Sequence, residues 1–136
     1  MAGDPTLQQG LENALLRRAL TDPATGLPNT LYLDLIRNWE EAVADRQGGD
    51  VLLLALTLSG GTESLRRRLA WELADTVRRS DFIASEGPHR FYLLLAVREP
   101  EDVETIRARI NNVVAGLNTQ SPPETQIRFD LRPLKA

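Results

Sequence analysis

Hydrophobic residues recur every three or four positions in four segments of the chain, which is the period of an amphipathic helix. The segments are 7–20, 30–46, 62–80 and 100–117. In the first segment the apolar stripe consists of Leu11, Leu15 (or Ala14) and Ala19. The faces expected to point inward in the other three are Leu31, Leu35, Trp39 and Ala42 or Val43; Leu65, Leu69, Leu73 and Val77; and Val103, Ile106, Ile110 and Val113. The pattern therefore predicts four helices.

Four shorter segments have the pattern of strands: 51–58, 81–86, 90–97 and 125–131. The first is apolar on both faces, which predicts a central strand covered by helices. The second and third flank a turn at Gly87-Pro88-His89 and predict a hairpin. The last alternates, with Ile127, Phe129 and Leu131 on one face, and is expected at a sheet edge. The order helix, helix, strand, helix, strand, strand, helix, strand predicts an α/β protein.

Composition narrows the class of protein. A chain of 136 residues with 42% apolar and 26% charged residues has the size and balance of one soluble domain. The net charge of −3 argues against a nucleic-acid-binding surface, which needs a basic balance. The absence of cysteine excludes disulfides and thiolate zinc sites. The longest apolar run, 51–56, is too short to insert in a bilayer, and the first residues do not resemble a signal peptide. We therefore expect a cytoplasmic protein without direct membrane insertion.

Two stretches of the chain resemble one known family. Residues 21–29, Thr-Asp-Pro-Ala-Thr-Gly-Leu-Pro-Asn, resemble the Asp-x-Leu-Thr-Gly-Leu-Pro-Asn-Arg opening of GGDEF domains, the bacterial diguanylate cyclases. Residues 78–91 resemble that family's later run, Arg-x-x-Asp-x-x-x-Arg-x-Gly-Gly-Asp/Glu-Glu-Phe, and end at Phe91. The resemblance implies a ferredoxin-like, palm-type α/β sandwich with a central, mostly antiparallel sheet flanked by helices. It also implies that 21–136 is the domain and that 1–20 is a linker or signalling helix.

The family's catalytic residues are replaced in this chain. Joining two nucleoside triphosphates needs divalent metal, and magnesium prefers carboxylate oxygens. By the resemblance, the metal-binding aspartate at the end of the first strand falls on Thr57 or Ser59. The two acidic residues of the turn fall on His89 and Arg90. We therefore expect no catalytic residues, no metal site, no cofactor and no enzyme activity.

The family's guanine-reading segment is also missing. It resembles Phe-Lys-x-x-Asn-Asp-x-x-Gly-His-x-x-Gly-Asp and follows the first strand. Here only five residues, 60–64, separate Ser59 from Leu65. The interpretation of this chain as a residual nucleotide cyclase is therefore less favoured than the two interpretations given below, an interaction module and a cyclic di-GMP receptor.

Arg78, Arg79 and Asp81 are the candidate ligand-binding residues. By the resemblance, Arg78-x-x-Asp81 occupies the place of the family's inhibitory site, which binds cyclic di-GMP. An arginine can bond guanine O6 and N7 together, and an aspartate can accept from its N1 and N2 hydrogens. Arg79 is a candidate phosphate contact. The alternative is chance, since about one Arg-x-x-Asp is expected in a chain with 15 arginines and 9 aspartates. In that case Asp81 only begins a strand.

Several other residues have two interpretations. The lone histidine, His89, fits a solvated turn position better than a metal ligand. The run 66–68, three arginines, is either a phosphate-binding patch or a solvated helix face. Trp39 and Trp71 lie near apolar stripes, and packing in the core is the simpler interpretation of both. The alternative for Trp71 is an exposed ring, which would indicate a contact surface.

The first helix either packs on its own domain or mediates contact with a partner. We expect it to project and to mediate a homodimer or a docking contact. The favoured interpretation of the whole chain is a catalytically inactive GGDEF-like domain that acts as a regulatory, protein-interaction module in bacterial signalling. The second interpretation is a cyclic di-GMP receptor that uses the Arg-x-x-Asp site.

Overall fold

The computed structural model describes residues 5–77, 81–97 and 101–134. Within these ranges the helices and strands occur in the predicted order. The elements are α1 (Pro5–Ala19), α2 (Thr30–Gln47), β1 (Asp50–Gly60), α3 (Glu63–Thr76), β2 (Phe82–Ser85), β3 (Arg90–Val97), α4 (Glu101–Asn118) and β4 (Ile127–Pro133). A short 3₁₀ helix, Pro123–Thr125, precedes β4 and was not predicted.

The four strands form one antiparallel sheet in the order β2-β3-β1-β4. β1 lies between two neighbours and is covered on both faces along most of its length, as its doubly apolar sequence predicted. β4 lies at an edge, also as predicted. The predicted hairpin is formed by β2 and β3, in which Ser85 lies opposite Phe91. The α/β fold with an antiparallel sheet is confirmed.

Helices cover both faces of the sheet, because alternate strand residues point to opposite sides. One face packs against α3 and α4 and forms the larger core. The other face packs against α2 through a smaller cluster of Leu33, Ala84 and Leu94. On α3 the predicted inward row is confirmed, since Leu69 and Leu73 are buried and Leu65 and Val77 pack against them. On α4 the buried residues are Ile106, Ile110, Val114 and Leu117.

The prediction of which face of α2 points inward is wrong. Leu31, Leu35 and Trp39 are 54%, 55% and 62% exposed. The sheet instead packs against Leu33 and Ile36. Apolar residues occupy two sides of this helix, and helical spacing alone does not say which side meets the sheet. The prediction chose the longer apolar row, whereas the sheet packs against the shorter one.

α1 stands apart from the rest of the described chain. Every residue from Leu7 to Ala19 is exposed. No described element packs extensively against this helix. A helix long and apolar enough to cross a membrane does not occur among the described residues.

Candidate functional site

The turn of the β2–β3 hairpin lies beside the end of β1, where the resemblance places catalytic groups. Thr57 is paired with Arg90 in the register of β1 and β3. The backbone N–H of Leu58 donates to the carbonyl of His89 over 2.7 Å. Directly paired residues of antiparallel strands point to the same face, so the Thr57 hydroxyl and the Arg90 side chain are neighbours. The structure thus brings the sequence-predicted positions together, and they present a hydroxyl and a cation.

One carboxylate lies in the same row of the sheet. Asp130 of β4 is paired with Thr57 on the side opposite Arg90. Its Oδ2 atom accepts from Nε of Arg132 over 2.7 Å, in an ion pair whose side chains are both more than half exposed. Arg90 places its Cζ atom 5.5 Å from the centre of the Tyr92 ring. Across the described ranges, no group of three or more His, Cys, Asp or Glu residues could hold a metal ion. The single carboxylate in this row is therefore that of Asp130, and it is already ion-paired with Arg132.

The connection from β1 to α3 leaves no room for a base-reading segment. Only Gly61 and Thr62 separate the last residue of β1 from the first residue of α3. Gly60 has φ of +76°, and a Cβ there would collide with the backbone carbonyl of Gln126. The Thr62 hydroxyl accepts from the N–H of Leu65 over 3.1 Å and caps α3. The chain therefore passes from strand to helix in one tight turn.

The loop at 20–29 is tied to the hairpin by a buried polar network that sequence analysis missed. Asp22, Thr25 and Ser85 are 7%, 3% and 1% exposed. Oδ2 of Asp22 accepts from Oγ of Ser85 over 2.6 Å and from the N–H of Gly87 over 3.0 Å. Oγ of Ser85 also lies 2.6 Å from Oγ1 of Thr25. The sequence contained one indication of this network, because Ser85 is a polar residue at the end of the otherwise apolar strand β2.

The same loop also holds the ends of two helices and one tryptophan ring. The backbone N–H of Asn29 donates to the carbonyl of Leu20, and its Nδ2 atom donates to that of Ala19, over 2.9 and 2.8 Å. Oδ1 of Asn29 accepts from the N–H of Tyr32 over 3.1 Å and so caps α2. Nε1 of Trp71 donates to the carbonyl of Thr25 over 3.1 Å. The loop therefore connects the end of α1 to the start of α2 and to α3 through these hydrogen bonds.

The candidate ligand-binding residues are only partly described. Arg78 and Arg79 lie outside the described residues. Asp81 immediately precedes β2, and its Oδ1 atom accepts from the N–H of Ala96 on β3 over 3.1 Å. Asp81 thus has a structural role at the start of the hairpin.

An open depression of about 690 Å³ lies on the outer side of α3. Trp71 is 58% exposed at its edge, and Arg67 and Arg68 line it. Both arginines form exposed ion pairs along the helix, with Glu63 and Glu72. Arg66 differs, because its Nη1 atom donates to the carbonyls of Gly60 and Gly61 over 3.1 and 2.7 Å. The three arginines therefore divide into one that braces the tight turn and two on a solvated face.

The first two helices present the remaining candidate surface. Leu7, Leu11, Leu15 and Leu16 of α1 are 59–67% exposed, and the outer row of α2 is exposed as well. A cavity of about 430 Å³ at the corner between the two helices is lined by residues that include Leu16, Leu20 and Tyr32. Large exposed apolar side chains are thus concentrated on these two helices among the described residues.

Comparison with known proteins agrees with the fold and with the two sequence stretches. No protein-family model matches the chain. A curated relative, diguanylate cyclase DgcP of Pseudomonas aeruginosa, is 32% identical over 110 residues, which cover 73% of this chain and 16% of that protein. The chain thus spans less than a fifth of the length of this relative.

Two solved structures have the same fold. The coiled coil and GGDEF domain of DgcB from Caulobacter crescentus, in complex with c-di-GMP, matches with a TM-score of 0.73 and 20% identity, over 96% of this chain and 76% of that one. Diguanylate cyclase SiaD of Pseudomonas aeruginosa, in complex with its activator SiaC, matches with a TM-score of 0.70 and 20% identity, over 96% of this chain and 55% of that one. Sequence and fold together identify this chain as a GGDEF-like domain.

Proposed function

We propose that this chain is a catalytically inactive GGDEF-like domain that serves as a regulatory, protein-interaction module in bacterial cyclic di-GMP signalling. In this proposal residues 21–136 form the module and residues 1–20 form the linker helix through which it meets a protein partner or a second copy. The solved SiaD structure, which contains an activator protein, is a precedent for protein contact by a chain of this fold.

The observation that carries the proposal is the pairing of Arg90 with Thr57. Two nucleoside triphosphates bring several negative charges together, and the known chemistry neutralises them with carboxylate-bound metal. A guanidinium beside a neutral hydroxyl repels the metal and offers it no strong ligand. The tight turn at Gly60 and Gly61 is a second obstacle to catalysis. It leaves no segment between β1 and α3 that could read a purine base.

The first test measures turnover. The purified chain with GTP and either Mg²⁺ or Mn²⁺ is expected to make no cyclic di-GMP, and an active diguanylate cyclase assayed in parallel serves as the positive control. Metal-dependent product above the level without protein would contradict the proposal.

A triple variant separates the two obstacles. Thr57→Asp, His89→Asp and Arg90→Glu together place acidic groups at the two turn positions and at Thr57, which is one of the two positions, Thr57 or Ser59, where the resemblance places the family's aspartate. We expect this variant to gain Mn²⁺ binding in calorimetry but still to make no product, because the base-reading segment remains absent. Restored turnover would show that lost carboxylates alone explain inactivity. Failure to gain metal binding in a folded variant would overturn the assignment of these positions.

A second candidate function is a cyclic di-GMP receptor that uses Arg78, Arg79 and Asp81. The observation that favours it is position: Asp81 lies directly before β2, in the hairpin that carries the family's later motif. This location is distinct from the row of Thr57 and Arg90, so ligand binding does not need the altered catalytic positions.

Calorimetric titration with cyclic di-GMP tests the receptor. If the chain binds, Arg78→Ala removes a two-bond contact to guanine and should cost about 1–3 kcal/mol, roughly ten- to a hundredfold in affinity. Arg79→Ala should cost less and depend more on salt, as phosphate contacts do. Arg68→Ala, on the solvated face of α3, is the matched control. No heat at millimolar ligand, or unchanged binding by Arg78→Ala, would rule out this candidate.

A further inference from the structure

The outer face of α2 carries a row of large apolar side chains that does not contribute to the core. Leu31, Leu35 and Trp39 are each more than half exposed. The helix packs on the sheet through its opposite face, where Leu33 is buried and Ile36 lies beside it. Single exposed leucines are ordinary on a protein surface, but three large apolar side chains in one row of a helix mark an interaction site.

A row of carboxylates runs along one side of this apolar row. Asp34, Glu41 and Asp45 are exposed and follow one another at steps of seven and four residues, which places them on one side of the helix. Oε1 of Glu41 accepts from Nε of Arg37 over 3.1 Å, and this carboxylate remains half exposed. Arg46 lies in the last turn, beyond the end of the apolar row. The acidic row therefore keeps an excess of negative charge.

We propose that the outer face of α2 is a docking site for an amphipathic helix of a partner protein, whose own apolar row is flanked by lysine or arginine. This assignment rests on the proposed function in treating the domain as an interaction module. It adds a second contact surface to the linker helix and states the chemistry of the segment that binds there.

The spacing of the apolar row suits a helix as the occupant. Leu31, Leu35 and Trp39 lie at four-residue steps, so the row is about 12 Å long at 1.5 Å per residue. A partner helix, whose side chains also recur every three or four residues, can interdigitate with such a row. Trp39 is the expected anchor, because tryptophan is enriched among the residues that contribute most to binding.

α2 is held in place by its own domain before any partner binds. Asn29 caps its first turn, and the ring of Tyr32 lies 5.3 Å from that of Phe82 on β2. Leu33 and Ile36 pack on the sheet. A helix that is already ordered loses little conformational entropy on binding. The row has only three large side chains, and a small interface of this kind is typical of transient signalling contacts.

The acidic row selects against two other occupants. Helices that lie on membranes carry basic residues beside their apolar face, whereas Asp34, Glu41 and Asp45 are repelled by anionic lipids. A second α2 in antiparallel orientation would place one acidic row against the other. A helix with basic flanks is attracted by the same charges, which gives the contact its specificity.

A matched pair of synthetic peptides tests the site. The first is a designed helical peptide with a leucine row flanked by lysines, and in the second glutamates replace the lysines. The full chain with Trp71→Phe is titrated with each peptide, so that Trp39 alone reports by fluorescence. We expect the lysine peptide to bind and to shift the emission to shorter wavelength, and the glutamate peptide not to bind. Failure of the lysine peptide to bind, or equal binding of both, overturns the proposal.

Substitutions in the apolar row locate the contact by calorimetry. Trp39→Ser should weaken binding of the lysine peptide about tenfold or more, because it removes the anchor. Leu35→Ser repeats the measurement at a second position of the row. Trp71→Ser is the matched control, since its ring is 58% exposed on another helix against 62% for Trp39, and it should leave the affinity unchanged. Circular dichroism checks folding. Equal losses in the folded Trp39→Ser and Trp71→Ser chains overturn the assignment to α2.

Neutralising the carboxylates tests the acidic row. The variant with Asp34→Asn, Glu41→Gln and Asp45→Asn should bind the lysine peptide more weakly and with less dependence on salt. A control makes the same change of net charge at three exposed carboxylates on other elements: Glu101→Gln, Glu104→Gln and Glu124→Gln. Equal losses in the two triple variants would mean that the peptide responds only to net charge, which overturns the proposal.

Two further measurements test the other occupants. Self-association in light scattering that Trp39→Ser abolishes would make a second copy the occupant. Sedimentation with vesicles of phosphatidylcholine and phosphatidylglycerol that depends on Trp39 would make it a membrane. Either result overturns the proposal. None of these outcomes depends on whether the domain turns over GTP, so failure of the α2 site is distinguishable from failure of the proposed function.

Discussion

α2 and α3 have apolar rows with the same four-residue spacing, but the row of α2 is exposed and the row of α3 is buried. In α2 the row Leu31, Leu35 and Trp39 faces out, whereas in α3 the row that contains Leu69 and Leu73 is buried. The difference lies in the rest of each helix. α2 has a second apolar side, at Leu33 and Ile36, and the sheet packs against that one. A four-residue row thus identifies a helix and one of its faces, but it does not identify what the face packs against.

The largest effect that tests this contrast is on folding stability. Leu69→Ala should lower the free energy of unfolding by about 2–5 kcal/mol, because it leaves a cavity at a fully buried site. The same substitution at Leu35 should change it by no more than about 0.5 kcal/mol. Urea titrations of both variants, at concentrations where the chain is monomeric, measure the difference. Similar losses at the two positions would mean that the outer row of α2 is part of the monomer's core.

An intermediate effect is expected for the buried carboxylate of the loop. Asp22→Ala leaves the hydroxyl of Ser85 and the N–H of Gly87 without their acceptor and should cost about 1–3 kcal/mol. Asp34→Ala, at an exposed position on α2, is the matched control and should cost no more than about 0.5 kcal/mol. Urea titration again provides the measurement. If Asp22→Ala were as stable as the control, the network would not hold the loop to the hairpin.

The smallest effect is expected from removing α1. A chain that lacks residues 1–19 should remain a folded monomer, with a free energy of unfolding within about 0.5 kcal/mol of the monomeric full chain, since this helix is exposed along its length. Light scattering and urea titration check both parts of this expectation. Aggregation or unfolding of the truncated chain would place α1 in the core of its own domain and remove the contrast between exposed and buried rows.

The elements themselves were largely predictable from the chain. Among the described residues, helical spacing identified the four α-helices. A doubly apolar run, a hairpin turn and one alternating segment identified the four strands, in the correct order, and β3 begins and ends where predicted. β1 was identified as central because both of its faces are apolar. Local bonds account for part of this success, because Asn29 and Thr62 cap their helices with their own side chains.

The candidate site was predictable only in part. The sequence could locate the positions where the resemblance places the family's acidic residues, because the flanking motifs keep their order. These positions are Thr57 or Ser59, His89 and Arg90. The bonds that join Asp22 to Ser85 and Gly87 could not, since they connect residues more than sixty positions apart. The same holds for the pairing of Thr57 with Asp130, which requires the register of β4.

The amino-acid sequence alone thus determined the α/β class, the order of the elements and the GGDEF resemblance, because each depends on the spacing or identity of neighbouring residues. Tertiary structure alone decided which row of α2 meets the sheet, which polar side chains are buried together and which leucines remain uncovered. These outcomes depend on burial and on contacts between distant segments. A hydrophobic row makes burial favourable, but only the arrangement of the other elements decides whether a partner is there to bury it.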